Sequence, residues 1–276
     1  MLRVLVFTRQ LEMFPTLLVL LSAATFGCAL HLPIGPEFLL KKGPINNRIA
    51  GGKYTQIEAI PWQVSLQILG WHHCGGVIYS KNIIITAAHC VHNNDSKLLD
   101  SEFFDVRVGS STSKNGGSVI KVAKITVHDR YVNINNQKTE YDIALLLLSS
   151  PLEMGPAVKA IPLADSVPND GAAVLVSGWG RTETEPVARY LKSVYVNIVN
   201  REQCDRVVLI KATICTASPW KGACAKDSGG PLTYNGTLVG IAVLASKICG
   251  DNTLPNVYTD VVELRKWIEE EAKKLS

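Results

Sequence analysis

Short runs of strand-forming residues, separated by turn residues, dominate the larger part of this chain. Gln63–Ile68 alternates polar and apolar residues, and Val77–Ile78, Ile83–Ile85 and Val119–Ile120 are rich in β-branched residues. Strands this short cannot bury an apolar face alone and have to pack on one another. The pattern predicts an all-β architecture, and it leaves open whether the strands form a sandwich or a barrel.

Two local signals near the C-terminus complement the strand pattern. Asn235-Gly236 separates Leu232–Tyr234 from Thr237–Val239, and an Asn-Gly step predicts a tight β-hairpin. A single helix is predicted to close the chain, capped by Asp260 with Glu263 three residues later. The apolar residues that share one face of this helix are Val261, Leu264, Trp267, Ile268 and Leu275.

The first residues have the pattern of an export signal. Arg3 and Arg9 precede an uncharged stretch rich in leucine, and small residues precede a cleavage point after Ala29. Met13 offers an alternative start of a shorter signal. A membrane anchor is the competing interpretation, but Pro15 interrupts the apolar stretch, which is short for a membrane span. We therefore assign residues 1–29 to a signal peptide and expect a secreted protein with no membrane association.

The cysteine count fits an oxidising compartment. The chain has seven cysteines, and removal of residues 1–29 would leave an even set. An even set in an exported chain predicts three disulfides, whose pairing the spacing alone does not fix. The six remaining cysteines are Cys74, Cys90, Cys204, Cys215, Cys224 and Cys249.

Charge excludes some classes of partner. The formal net charge is +4, and no run of five or more Lys or Arg marks a nucleic-acid or membrane-binding patch. We expect no nucleic-acid partner. No Cys-x-x-Cys pair indicates zinc, and Ser110–Gly117 contains no carboxylate for calcium. The sequence therefore predicts neither a metal nor another cofactor.

Three residues have the types needed for acyl transfer by a serine. Ser228 lies in Asp-Ser-Gly-Gly-Pro, His89 in Ala-Ala-His-Cys, and Asp142 begins the apolar run Asp-Ile-Ala-Leu-Leu. A nucleophilic serine needs an imidazole base, and the imidazole needs a carboxylate to orient it. Taken singly, each has an ordinary alternative: a surface turn for Ser228, a core or exposed histidine for His89, and a strand-capping acid for Asp142.

The order of these three residues makes the combination more specific than its parts. His, Asp and Ser follow one another along the chain as in the chymotrypsin branch of serine peptidases. Further motifs appear in the same order, and with them the chain resembles the chymotrypsin/trypsin family over nearly all of residues 49–276. These motifs are Ile49-Ala50-Gly51-Gly52, Cys74-Gly75-Gly76, Ser177-Gly178-Trp179-Gly180 and Pro255-Asn256-Val257-Tyr258.

The resemblance implies two packed six-stranded antiparallel β-barrels, with His89 and Asp142 from the first and Ser228 from the second. It implies a peptide or protein substrate, and we expect a monomer. It also implies the disulfides Cys74–Cys90, Cys204–Cys215 and Cys224–Cys249. The peptidase domain would cover residues 49–276.

Activation by proteolysis is a further implication of the resemblance. Residues 30–48 would be a propeptide that an activating protease removes by cutting after Arg48. The new terminal amine of Ile49 would then pair with Asp227, because a buried carboxylate needs a cationic partner.

The sequence departs from the family at the expected oxyanion hole, which would use the backbone amides of Lys226 and Ser228. The family has glycine at the position of Lys226. Two interpretations remain open. Lys226 either turns its peptide away and removes one donor, which typically costs roughly 100- to 1000-fold in rate, or keeps the amide in place and crowds the leaving-group side.

The expected substrate pocket is also altered. Val243-Leu244-Ala245 stands in place of the usual Ser-Trp-Gly, and Asn256 replaces a glycine. Gly222 occupies the position of the acid that binds Lys or Arg in trypsins. Together with Ala223, it predicts a non-tryptic preference for a small or apolar side chain. The alternative function is a weak or inactive homologue that binds protein, since paralogues with reduced activity share this fold.

Two sequons begin at Asn94 and Asn235 and permit glycosylation in a secreted chain, although either can also be an ordinary turn.

Overall fold

The computed structural model describes residues 51–134, 138–182, 185–244, 249–250 and 254–276. The predicted signal peptide, Arg48, Ile49 and Ala245 lie outside these described residues. No helix within the described ranges is long and apolar enough to cross a membrane.

Fifteen short strands and two α-helices make up the described regular structure, with single turns of 3₁₀ helix at Ile57–Ala59, Ala88–Val91 and Ser101–Phe103. The strands are β1 (Lys53–Tyr54), β2 (Gln63–Ile68), β3 (Trp71–Ile78), β4 (Ile83–Thr86), β5 (Phe104–Val108), β6 (Ser118–Val127), β7 (Val132–Ile134), β8 (Lys138–Glu140), β9 (Ala144–Leu148), β10 (Ala173–Gly178), β11 (Lys192–Ile198), β12 (Thr213–Ala217), β13 (Pro231–Tyr234), β14 (Thr237–Leu244) and β15 (Asn256–Asp260). The helices are α1 (Arg201–Val208) and α2 (Arg265–Leu275).

Two antiparallel barrels contain most of these strands, as the family resemblance implied. The first is closed in the order β2-β3-β4-β9-β6-β5. The second follows the order β11-β10-β13-β14-β15-β12, and the pairing of β11 with β12 closes it. Strand β1 adds to the outer edge of β11, and β7 pairs with β8 in a separate ribbon. Closure leaves few free strand edges, which suits strands of this length.

Strand β2 is buried on both faces. Its apolar residues Val64 and Leu66 face the core of the first barrel, while its polar residues are also fully buried. Gln63 Oε1 accepts a hydrogen bond of 2.6 Å from Ser177 Oγ of β10, in the second barrel. Gln67 Nε2 donates to the carbonyl of Ser113 at 2.6 Å. The polar residues of β2 therefore find partners both in the second barrel, through Gln63, and within the first, through Gln67.

The predicted hairpin and disulfides are present. Strands β13 and β14 pair across Asn235 and Gly236, whose φ angles of 47° and 78° are typical of a two-residue hairpin turn. The three disulfides of the structure have the pairing that the family resemblance implied. They are Cys74–Cys90, Cys204–Cys215 and Cys224–Cys249.

The terminal helix starts later than the sequence predicted. Asp260 accepts hydrogen bonds from the amides of Val262 and Glu263 at 2.9 and 3.0 Å, but these residues form a turn before the helix. Regular α-helix begins at Arg265. The sequence correctly predicted that the Asp260 carboxylate caps the backbone amides that follow it. The predicted helix start was wrong, because these amides belong to a turn that precedes the helix. Ile268 and Leu275 pack on the first barrel's core, as the apolar face predicted.

Candidate active site

The register of two strands brings His89 and Asp142 together. In the first barrel, Thr86 at the end of β4 pairs with Ala144 at the start of β9. His89 follows Thr86 by three residues, in the 3₁₀ turn Ala88–Val91, and Asp142 precedes Ala144 by two. Both side chains therefore lie at the same end of this strand pair.

Two hydrogen bonds join these residues. The Nδ1 atom of His89 lies 2.7 Å from Oδ2 of Asp142, and the backbone amide of His89 donates to Oδ1 at 2.9 Å. Asp142 is 1% exposed, whereas the side chain of His89 is 28% exposed. The carboxylate is thus enclosed, and the imidazole is partly open to solvent.

The electrostatics of the pair favour an ionised carboxylate. Burial alone would raise the pKa of Asp142, but the charge and hydrogen bonds of His89 outweigh burial, and the net effect lowers that pKa. Burial alone would lower the pKa of His89, but the charge and hydrogen bond of Asp142 outweigh it, and the net effect raises that pKa. An imidazole of raised basicity held in one orientation is suited to take a proton from a hydroxyl.

Two threonines also support Asp142. The side chain of Thr139, in β8, hydrogen-bonds to the carboxylate and contributes to its lowered pKa. Thr259 Oγ1, in β15 of the second barrel, donates to the backbone carbonyl of Asp142 at 2.7 Å. Sequence reasoning missed both residues, because neither belongs to a motif with a fixed spacing from the acid.

Ser228 lies in the loop just before β13 of the second barrel, and its carbonyl accepts a hydrogen bond of 2.7 Å from the amide of Gly75. Gly75 follows Cys74, whose disulfide partner Cys90 follows His89. The loop is closely packed at Gly229, where a Cβ atom would lie 2.3 Å from Oγ1 of Thr86 and φ is 80°. This contact between barrels explains why glycine follows the serine.

Lys226 adopts the backbone conformation that usually requires glycine. Its φ angle is 78°, and its carbonyl accepts a hydrogen bond of 3.0 Å from Nε2 of His72. Among the residues that the structure describes, the amides of Lys226 and Ser228 donate to no other group. This geometry favours the interpretation in which Lys226 keeps its amide in place, at a conformational cost of about 1–2 kcal/mol.

His72 is a site residue that sequence reasoning missed. It connects β3 with the loop of Ser228. Burial lowers its pKa to about 4, so the ring is neutral at pH 7. Because the carbonyl of Lys226 can only accept, Nε2 carries the proton and Nδ1 accepts from Ser65 Oγ at 2.8 Å. The only available signal was its closeness to the disulfide cysteine Cys74.

Asp227 is a second enclosed acid. It is 1% exposed, and its carboxylate accepts from the amide of Gly180 at 2.7 Å and from that of Cys224 at 2.9 Å. Burial raises its pKa to about 7, although the two amides oppose this rise. Within the described ranges, no Lys, Arg or His forms an ion pair with it.

The residues expected to line the substrate pocket come from neighbouring parts of the second barrel, where Leu244 of β14 pairs with Val257 of β15, the residue after Asn256. Gly222, Ala223 and Asn256 are buried in the second barrel, and Nδ2 of Asn256 would lie 2.0 Å from a Cβ atom at Gly222. The Asn256 amide thus fills the space beside Gly222. Val243 and Leu244, at the end of β14, instead line a cavity of about 270 Å³ beside His89.

This cavity is predominantly polar in its side chains. Apart from Val243, Leu244 and His89, the cavity is lined by His92, Asn93, Asn94, Asn133 and Thr139. Sequence reasoning did not predict it, because its walls come from a loop and the β7–β8 ribbon, which are far apart in the chain.

A metal interpretation does not fit the side chains near His89. Within the described part of the chain, the group close enough to hold an ion consists of Cys74, His89 and Cys90. Cys74 and Cys90 are joined in a disulfide and offer no thiolate. The group is therefore a disulfide beside an imidazole.

Together, the two barrels, the His89–Asp142 pair and the loop of Ser228 define a trypsin-like serine protease fold. A model of the trypsin family matches residues 49–268, and the chain belongs to that family.

Individual relatives agree with this assignment. The chain is 42% identical to hypodermin-A of Hypoderma lineatum over 238 residues, which covers 83% of this chain and 90% of that protein. It is 40% identical to trypsin alpha of Drosophila melanogaster over 267 residues, covering 94% of this chain and 99% of that protein. Among solved structures, neuropsin, a serine protease expressed in the limbic system of mouse brain, matches with a TM-score of 0.72 and 29% identity. That match covers 80% of this chain and 98% of neuropsin.

Proposed function

We propose that this protein is a secreted serine endopeptidase, made as a zymogen, that cleaves peptide bonds through an acyl-enzyme on Ser228. The observation that carries the proposal is the 2.7 Å contact between His89 Nδ1 and the enclosed carboxylate of Asp142. That contact fixes the tautomer in which Nε2 is free to accept a proton. An endopeptidase needs this arrangement, whereas a protein-binding homologue does not.

The reaction follows from the roles of these groups. Ser228 Oγ attacks the carbonyl carbon of the scissile bond while His89 takes the hydroxyl proton. The negative oxygen that develops is held by the amides of Lys226 and Ser228. The C–N bond then breaks, and His89 gives its proton to the leaving amine. Water, deprotonated by His89, attacks the acyl carbon, the bond between that carbon and Ser228 Oγ breaks, and His89 returns the proton to Oγ as the acid leaves.

The zymogen proposal is supported by Asp227. A carboxylate that is 1% exposed and ionised would be costly without a cation, and its pKa of about 7 reflects that cost. A cut after Arg48 would create an amine at Ile49 able to pair with it, with residues 30–48 as the propeptide and 1–29 as the signal. Asp227 directly precedes Ser228, so this pairing would order the loop that carries the oxyanion donors.

The substrate preference proposed here is non-tryptic, although several relatives are named trypsins. Gly222 offers no carboxylate for a Lys or Arg side chain, and the amide of Asn256 occupies the space beside it. A narrowed, uncharged pocket favours a small side chain before the scissile bond. The rival proposal is an inactive homologue. The backbone of Lys226, which adopts the conformation that glycine would, weakens one ground for it, while the altered pocket residues Val243 and Asn256 remain the other.

Active-site labelling tests the proposal. The protein is cut after Arg48, treated with a fluorophosphonate, and compared with Ser228→Ala prepared in the same way. We expect labelling of the cut protein, no labelling of Ser228→Ala, and turnover of peptides with Ala before the bond. A folded, cut protein that neither reacts with the fluorophosphonate nor cleaves a broad peptide library would refute the enzyme proposal.

A further inference from the structure

Lys226 is an exposed cation two residues before the proposed nucleophile. Within the ranges that the structure describes, no Asp or Glu forms an ion pair with its ammonium group, whereas Lys121, Arg206, Arg265 and Lys274 all have such partners. An exposed lysine beside Ser228 is therefore available to interact with a peptide bound there.

A hydrogen bond and a disulfide connect the loop of Lys226 with the segment of His89. The carbonyl of Lys226 accepts from Nε2 of His72 in β3 at 3.0 Å, and Cys74 of the same strand is joined to Cys90, the residue after His89. Lys226 therefore lies near the imidazole that would protonate the leaving group. Burial, followed by the charge of Lys226, lowers the pKa of His73 to about 4, so His73 itself adds no charge at pH 7.

Arg181 is a second exposed cation, and it lies next to the loop of Lys226 and Ser228. The amide of Arg181 donates to the carbonyl of Ala225 at 2.7 Å, which holds Arg181 beside the residue that precedes Lys226. No acidic side chain of the described residues forms an ion pair with Arg181. Two cations without described acidic partners thus flank the loop of Ser228.

We infer that the leaving-group side of the cleft selects an acidic side chain at the second residue after the scissile bond, with Lys226 as its principal contact and Arg181 in support. The length of the Lys226 side chain determines which substrate residue it contacts. If the amide of Lys226 binds the scissile oxygen, its side chain extends roughly 6 Å from there, and two residues of extended peptide span about the same distance. The inference rests on the proposed function and narrows its substrate class.

The test uses peptides that differ only at this second residue, with Glu, Gln or Lys. Each has Ala before the scissile bond and is assayed with the protein cut after Arg48. We expect kcat/KM to fall in the order Glu, Gln, Lys, with Glu about 1.5- to fivefold above Gln at low ionic strength, as for pairs of exposed charges. The preference should shrink at about 1 M salt, where the Debye length is near 3 Å.

Three variants test whether Lys226 causes the preference for Glu over Gln. Lys226→Met should bring the Glu-to-Gln ratio close to one, and Lys226→Glu should reverse the order. Lys124→Met, which removes an exposed lysine from β6, should keep the wild-type ratio. Fluorophosphonate labelling of Ser228 in each variant verifies a folded, competent site.

The outcomes distinguish this inference from the proposed function. If Ser228 is labelled but the three peptides are cleaved equally well, or if the preference survives Lys226→Met, the inference is wrong and the enzyme proposal stands. If neither labelling nor cleavage occurs in the wild-type protein, both are wrong.

Discussion

The two buried acids of the site, Asp142 and Asp227, have equal exposure and opposite electrostatics. Each is 1% exposed. Asp142 is paired with His89, and its pKa is lowered, whereas Asp227 has only backbone donors among the described residues and its pKa is raised to about 7. Hydrogen bonds from neutral backbone amides therefore do not offset the rise in pKa that burial causes, whereas a nearby positive charge does. The first acid has its partner among the described residues, and for the second we propose the amine of Ile49.

The largest effect is expected from Asp142→Asn in the protein cut after Arg48. The amide can donate to Nδ1 of His89 and would stabilise the wrong tautomer, so kcat should fall on the order of 10⁴-fold. Peptide hydrolysis under saturating substrate measures the loss, and Ser228→Ala gives the background. A decrease of less than tenfold would mean that the acid does not orient the imidazole.

Blocking the cut should have the next largest effect. In Arg48→Gln the amine of Ile49 would never form, and the buried carboxyl group of Asp227 would remain without a cationic partner. We therefore expect activity at least 100-fold below that of the cut protein. Arg48→Lys is the matched control, because added trypsin can still cut it and should restore full activity. Equal activity of Arg48→Gln and the cut protein would contradict the zymogen account.

The stability of the uncut protein should depend on the ionisation of Asp227. Its pKa in the folded state is about 7 against an ordinary value of 3.8, so the protonated acid is favoured by folding. Its contribution to the free energy of unfolding is complete below about pH 4 and is lost as the pH rises through 7. The loss amounts to a few kcal/mol, at about 1.4 kcal/mol per pKa unit. His72 and His73, with pKa values lowered to about 4, give the opposite trend below pH 6.5.

The difference in free energy of unfolding between the wild type and Asp227→Asn isolates the contribution of Asp227. Denaturant unfolding of both uncut proteins between pH 4 and 8 should give a free-energy difference that changes in favour of the variant as pH rises. A difference independent of pH would refute the raised pKa.

The smallest effect concerns Lys226. Because φ is 78° there, a β-branched side chain is strained where glycine is not. Lys226→Val should therefore lower the free energy of unfolding by about 1–2 kcal/mol relative to Lys226→Gly. Thermal unfolding of the two variants measures this difference, and equal stability would show that the residue leaves the left-handed region.

The sequence predicted the fold and the contact between His89 and Asp142 better than it predicted the residues around them. The order of His89, Asp142 and Ser228, with the motifs around them, was enough for the fold and for the contact of His89 with Asp142. Thr139 and Thr259 could not be predicted as supports of Asp142, because hydrogen bonds between distant strands leave no local pattern. The same holds for His72, whose partners Ser65 and Lys226 come from different barrels.

The backbone of Lys226 illustrates another limit. A residue type alone does not report its φ angle, so the sequence left two conformations open for the oxyanion loop. The helix start at Arg265 was missed for a related reason, since a capping carboxylate at Asp260 serves a turn as well as a helix.

The most direct test of the account is the pKa of the Asp227 carboxyl group before and after the cut. Carbon-13 NMR of Asp-labelled Ser228→Ala protein, with Asp227→Asn in the same background to assign the signal, reports this pKa without self-digestion. We predict about 7 in the uncut protein and a value below the ordinary range after the cut, when the amine of Ile49 pairs with it. An unchanged pKa after complete cleavage at Arg48 would contradict the account.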